Sequence, residues 1–389
     1  MIARDDRDKL TLVTGFWPPK NEVIRRSDVY VRLFEELVRH VDGTLPIVAC
    51  VDPRVEVQTR AAVERSGVAS SRVIVRPTPF DSLHFAQDTE RFTDLQPATN
   101  AFVHQSAIDY AIVMWSKPAT VHAIATENPF RSNHFGWIDF GIPHVSELRD
   151  VDWFEVSAES TSTDKVRICE RLATPRNEAE DPYFFYCTNS ARTCGGFFTG
   201  TKDSLAELVD VFDVEVARMI ETGTYCVDEQ IIAAATALYP DLFECWYADY
   251  FGLLRNVRYI ERDVDIVLGN LQHCRNEELW PNGTRIAKKL LTSAVNRRLR
   301  LEPEECLHLL DDGLACAIHD DRDLADTLAK TIMSLFHYSR LGRGMMKGLW
   351  RRSIQESLRP LDLNFSQKSP WSWEEFTSRP ELRAWLSCF

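Results

Sequence analysis

The sequence predicts an α/β protein, with a parallel sheet wrapped by helices, antiparallel strands added to its edge, and a mostly helical C-terminal region. Three observations carry this expectation. Short apolar runs stop at turn residues, as Thr11-Leu12-Val13-Thr14-Gly15-Phe16 does before Trp17-Pro18-Pro19. After Ser27-Asp28, residues Tyr30, Leu33, Phe34, Leu37, Val38 and Val41 recur at helical spacing, and Asp42-Gly43 closes the run. From Thr284 onward the helical period persists through Ile286, Leu290 and Leu291, then Leu307, Leu310 and Leu314, then Leu324, Leu328 and Ile332.

The first strand leads to a second, Pro46 to Asp52, which ends in an acid before Pro53, and a third, Arg72 to Arg76, ends at Pro77. Strand, helix, strand at this spacing is a βαβ unit. Ligands of such sheets sit beyond the carboxyl ends of the strands, where Thr14, Gly15, Phe16 and Asp52 would lie together. Asp52 would accept hydrogen bonds from a ribose or a base, or simply form an Asp-Pro turn.

Residues 101 to 128 read as two helices parted near Lys117-Pro118. Lys117 is either a cation for a diphosphate or a charge placed at a helix end for the dipole. Asn128-Pro129-Phe130-Arg131-Ser132 turns the chain into a central strand, and Arg131 is a second candidate phosphate ligand.

That strand, Phe135-Gly136-Trp137-Ile138-Asp139, delivers one carboxylate to an open edge before the Gly141-Ile142-Pro143 turn. Apolar neighbours keep Asp139 off a freely solvated surface, so its charge needs a metal ion, a basic side chain or backbone N–H groups. A plain turn cap is the bland alternative. The kinase reading of Asp-Phe-Gly fails, because no glycine-rich loop, strand lysine and His-Arg-Asp loop precede it in order.

Further on, Val151 to Val156, Lys165 to Cys169 and Tyr183 to Thr188 read as strands, and Lys202 to Glu221 as a long helix. The segment Cys194-Gly195-Gly196-Phe197-Phe198-Thr199-Gly200 reads as a glycine–aromatic turn. There Gly196 would admit a ligand closely and Phe197 would offer a face to a sugar, unless the aromatics belong to the core. Asp228 and Glu229 open another helix, where acids are favoured by the dipole. The order of these pieces suggests more: a metal-binding carboxylate and a general base facing each other across a cleft.

Composition limits the partners. The chain has 389 residues, 44% hydrophobic and 26% charged, with a formal net charge of -13, which argues against broad nucleic-acid affinity. No apolar run reaches membrane-spanning length and the N-terminus is charged, so the expected compartment is the cytoplasm. Ten cysteines without a Cys-x-x-Cys pair fit reduced thiols. Pro281-Asn282-Gly283 marks the expected boundary between a domain at 9–280 and a helical extension at 281–389. Within that extension, segment 338–354 interleaves Arg340, Arg343, Lys347, Arg351 and Arg352 with apolar residues. It would contact an anionic membrane peripherally or a phosphate-linked acceptor, or else form a solvated face.

Taken together, Thr11 to Phe16, Lys117 with Asn128-Pro129-Phe130, Trp137 to Ile142, Gly195 to Gly200 and Asp228-Glu229-Gln230 resemble the HtrL/YibB family over about residues 9 to 260. Those bacterial proteins are similar to glycosyltransferases of the GT-A class. The resemblance implies a GT-A-like, Rossmann-type mixed sheet flanked by helices. Thr14, Gly15, Phe16 and Asp52 would hold the nucleoside, with Lys117 and Arg131 on the diphosphate. Asp139, standing in for an Asp-x-Asp motif, and His273 would bind Mn²⁺ or Mg²⁺. Gly196 and Phe197 would line the sugar and acceptor site, and Asp228 or Glu229 would be the base. The implied donor is a nucleoside-diphosphate sugar, a UDP-sugar foremost, and the acceptor a hydroxyl on a glycan or another molecule, as in cell-surface polysaccharide or glycoconjugate synthesis. A catalytically inactive module of the same fold, binding a glycan or a protein, is the alternative. A nucleotidyltransferase fits less well, since no glycine- and lysine-rich triphosphate loop follows the first strand.

Overall fold

Strands buried on both faces need nearly continuous apolar sequence, and the first three runs supply it. In the computed structural model, which describes residues 10–19, 26–99, 101, 107–188, 190–296, 299–338 and 361, they become β1 (Leu10–Phe16), β2 (Ile47–Val51) and β3 (Val73–Pro77), with α1 (Ser27–Val41) and α2 (Glu56–Ser66) between them. Asp42 ends α1 in a left-handed conformation, φ 46°, as the Asp-Gly signal requires.

Two helices, α3 (Ile108–Trp115) and α4 (Lys117–Glu127), then lead to β4 (His134–Ile138). After α5 (Trp153–Ser160) come β5 (Val166–Glu170), the short α6 (Arg176–Glu180) and α7 (Pro182–Tyr186), β6 (Thr193–Thr201), α8 (Lys202–Glu221), α9 (Asp228–Leu238) and β7 (Phe243–Tyr247). The seven strands form one sheet in the order β3-β2-β1-β4-β6-β5-β7. Strands β3, β2, β1 and β4 run parallel. Strand β6 is antiparallel to both its neighbours, and β7 is parallel to β5. The fold is therefore a mixed α/β sheet flanked by helices.

Three local readings are corrected. Val151 to Val156 enters helix α5 because Asp152 accepts hydrogen bonds from the N–H groups of Phe154 and Glu155. Tyr183 to Thr188 is largely helix α7, started by Asp181, which accepts from Phe184 N–H, and by Pro182 in the first turn. The glycine–aromatic segment is no turn but part of β6, paired with β4 from Phe197 onward and carrying an irregularity against β5, where the pairing steps from Phe198 to Cys194. Its Phe197 and Phe198 are consequently buried on opposite faces of the sheet.

The chain parts into two compact units between Arg258 and Tyr259. The second is helical, with α10 (Val264–Asn276), α11 (Trp280–Val295), α12 (Pro303–Asp320) and α13 (Arg322–Tyr338). Pro281, Asn282 and Gly283 lie in the first turn of α11. Of the basic segment 338–354, all but Tyr338 lies outside the described residues. No described helix is long and apolar enough to cross a membrane.

Candidate active site

Parallel strands direct their ligands to their carboxyl ends, most often between neighbours where the strand order reverses. Here those neighbours are β1 and β4. A cavity of about 610 Å³ opens beyond them, lined by Gly15 and Phe16 from β1 and Trp17 just after it, Tyr30 from α1, and Trp137 from β4 with Asp139 just after it, among others. Phe16 stacks on Tyr30 at 5.1 Å and on Phe140 at 5.2 Å, giving the wall a rigid aromatic character.

Asp139 follows the last residue of β4, and its side chain is 32% exposed. Its backbone N–H donates to Gly196 O at 2.9 Å, which fixes the strand end against β6. Residues two apart share one face of a strand. Trp137 thus stands beside Asp139 and donates from Nε1 to Oδ1 at 2.7 Å. Lys117 Nζ forms an ion pair with the same oxygen at 3.0 Å. Both contacts engage Oδ1, so Oδ2 is the oxygen left to a ligand in the cavity.

Lys117 is 2% exposed, yet its ammonium is fully served. It donates to Asp228 Oδ2 at 2.7 Å and to Gly195 O at 3.0 Å, and it lies 5.6 Å from the centre of the Trp137 ring. Burial works against its charge, but Asp139 and Asp228 outweigh that and hold the ammonium well above the usual lysine range. Burial pushes the Asp228 carboxyl up, helped by Glu229 and Asp139 and opposed by Lys117. Asp228 is 1% exposed, and its Oδ1 has no hydrogen-bond partner. Glu229 accepts a hydrogen bond from Tyr250 O–H, whose own ionisation is pushed up by burial and by that carboxylate.

Gly195 makes this packing possible. A Cβ there would lie 2.3 Å from Asp228 Oδ2, closer than any carbon–oxygen contact allows. Gly195→Ala is therefore expected to lower the unfolding free energy by about 2–3 kcal/mol, a typical overpacking loss. Urea unfolding measures it, and a loss under about 0.5 kcal/mol would mean that Asp228 is not held where it is described.

Of the residues expected at the site, Gly15, Phe16 and Asp139 line the cavity, and Lys117 joins Asp139 to Asp228 behind it. The others are placed elsewhere. Thr14 is wholly buried in β1. Asp52 is occupied by Arg54, whose backbone and side chain both donate to it. Burial alone would raise the Asp52 carboxyl, but those bonds hold it below the ordinary value. Arg131 precedes β4 and so stands at the amino end of the strand whose carboxyl end meets the cavity. Gly196 is a strand residue under Tyr250, and Phe197 packs edge-on against Trp246 in the core. Neither Asp228 nor Glu229 lines the cavity.

Sequence reasoning missed Trp137, Gly195, Tyr30 and His144. The alternation of strand residues could have paired Trp137 with Asp139. His144 lines the cavity, and its Nδ1 contacts the carbonyl oxygen of Gly141. A carbonyl only accepts, so Nδ1 carries the proton and Nε2 the lone pair.

Among the described residues, no three His, Cys, Asp or Glu side chains converge as metal ligands. His273 lies in the last turn of α10, in the second unit. Asp139 Oδ2 fits one position on a hard cation, which would take its other oxygens from a ligand and water, as Mg²⁺ commonly does at phosphates.

Fold and cavity define an α/β protein with a cavity at the switch point of a mixed sheet. Residues 82–259 match the HtrL_YibB family, described as a bacterial protein of unknown function, and the family resemblance holds over that stretch. It includes Lys117, Asp139, Gly195 and Asp228, while β1 and α1 precede it. No curated protein sequence matches the chain. Among solved structures the chain is similar to mouse xyloside xylosyltransferase 1 in its apo form, at 9% identity and a TM-score of 0.36, over 61% of this chain and 84% of that one.

Proposed function

We propose that the protein is a glycosyltransferase that moves a sugar from a nucleoside-diphosphate sugar, a UDP-sugar foremost, to an acceptor hydroxyl. The reading rests on Asp139, anchored through one oxygen and presenting the other to a cavity within the size range of small-molecule sites, about 300–1,000 Å³. The aromatic wall of Phe16 and Tyr30 suits a nucleoside. Asp81, Asp109 and Asp139 line the cavity against Arg54, so a diphosphate entering alone meets more acid than base. That imbalance favours a ligand that arrives with Mn²⁺ or Mg²⁺, for which Asp139 Oδ2 would be the protein's ligand. The cation would offset the charge gathering on the leaving diphosphate.

The residues of the chain account for the rest of a single displacement. The acceptor oxygen bonds to the anomeric carbon as the bond from that carbon to the diphosphate oxygen breaks. The acceptor proton passes to His144 Nε2, which replaces Asp228 and Glu229 as the candidate base because it faces the cavity and they do not. Trp137 keeps Asp139 in place throughout.

The test is thermal unfolding with a panel of nucleoside diphosphates, with and without Mn²⁺. One nucleotide with Mn²⁺ should stabilise the wild type by about 1.4 kcal/mol at tenfold its Kd, and Asp139→Ala should lose the part that needs metal. A catalytically silent glycan- or protein-binding module is favoured by one observation, the exclusion of Asp228 and Glu229 from the cavity. A flat response across the panel would select it.

A further inference from the structure

Resting on the reading of a cation-borne diphosphate at Asp139, we propose that Lys117 is a built-in counter-ion for Asp139, and that ligand binding transfers its ammonium wholly to Asp228. Lys117 and Asp228 are then positioning residues that never touch the ligand.

The geometry is that of a shared charge. The ammonium donates to Asp228 Oδ2 at 2.7 Å and to Gly195 O at 3.0 Å, and forms an ion pair with Asp139 Oδ1 at 3.0 Å. One of the two carboxylates faces the cavity and the other is sealed behind it. A purely structural ion pair needs one acid, and here a second, one-third exposed acid shares the same ammonium. Left where it is, that positive charge opposes any cation approaching Asp139. Moving it toward Asp228 gives up the Asp139 contact and keeps the other two.

Two features of the fold favour the transfer. Asp228 has a buried oxygen, Oδ1, without a partner, so it holds unused acceptor capacity, and such atoms are rare unless something uses them. Asp228 also opens α9, where the helix dipole favours an anion, while Lys117 opens α4, where the dipole disfavours a cation. The lysine is held against its own helix by the two acids, and the acid that receives it is held in favour by another.

The experiment is calorimetric titration of UDP into the full chain with and without Mn²⁺ at fixed ionic strength. Wild type, Asp228→Asn and the double variant Lys117→Met/Asp228→Asn are compared, and the readout is the ratio of the two affinities within each protein. In Asp228→Asn the ammonium has no second acid to go to, and the Mn²⁺-dependent gain should fall by about 10-fold or more, the usual effect of an outer-shell change. In the double variant Asp139 is released from the lysine, and the gain should return to within about 3-fold of wild type. A full gain in Asp228→Asn, or a double variant no better than the single one, overturns the transfer. If wild type itself shows no Mn²⁺-dependent gain, the cation reading fails and the transfer falls with it.

Discussion

Lys117→Met is expected to lower the unfolding free energy by about 3–5 kcal/mol, the loss typical of a buried charge whose partner is removed. Methionine matches the length of the lysine stem, so packing changes little, and the deficit is electrostatic. Asp228, 1% exposed, would face Asp139 and Glu229 with no cation between them. The deficit should depend on pH, with a definite sign. Burial and the neighbouring acids already raise the Asp228 carboxyl in the folded protein, and without Lys117 nothing opposes them. A carboxyl raised on folding is no burden below its unfolded pKa of about 4, where both states are protonated. It becomes one as pH rises from there toward the folded value, because the unfolded chain then releases a proton that the folded one retains. Urea unfolding at pH 5 and pH 8 should show the larger loss at pH 8. The double variant Lys117→Met/Asp228→Asn should recover most of it and flatten the profile. Equal losses at the two values would mean that the lysine supports the fold through its stem and not its charge.

That triad shows how far a sequence can be read. Asp139 was legible because apolar neighbours on both sides keep a carboxylate there off a freely solvated surface, and a partner had to exist. Which partner was not legible. Lys117 meets Asp228 across 111 positions, a contact set by the packing of α4 and α9 against the sheet and by no local pattern. Strands β1, β2 and β4 were readable because burial on both faces leaves nearly continuous apolar runs, and the edge strand β3 because its short apolar run stops at Pro77. The aromatic run Tyr183 to Tyr186 misled because strand preference is weak beside an Asp-Pro helix start. Likewise Gly195-Gly196 suggests a turn, whereas it sits at an irregularity within β6, where the pairing with β5 steps from Phe198 to Cys194. For Asp52 the Asp-Pro turn reading holds, and Arg54, two positions on, is within reach of such a turn. The position of Arg131 needed only the direction of β4, which the sequence already supplied.

His144→Ala should slow sugar transfer by about 10²–10⁴-fold, the usual worth of a positioned proton acceptor, while UDP–Mn²⁺ affinity stays within a few-fold. The ring owes its role to its neighbours. Contact with the Gly141 carbonyl fixes the proton on Nδ1, and Tyr30 flanks the ring at 5.9 Å, tilted by 60°. Those constraints leave Nε2 able to accept a proton without first losing one. Turnover can be followed without a known acceptor, as release of UDP to water from whichever UDP-sugar most stabilises the wild type. Truncation to alanine opens a ring-sized gap beside Tyr30, so added imidazole should restore part of the rate. A structural role for His144 would instead weaken nucleotide binding and turnover together, with no response to imidazole. Unchanged turnover would remove His144 from the reaction and return the search for a base to the remaining cavity acids, Asp81 and Asp109. Both stand on segments between β3 and α4, so either outcome tells which wall of the cavity the acceptor must approach.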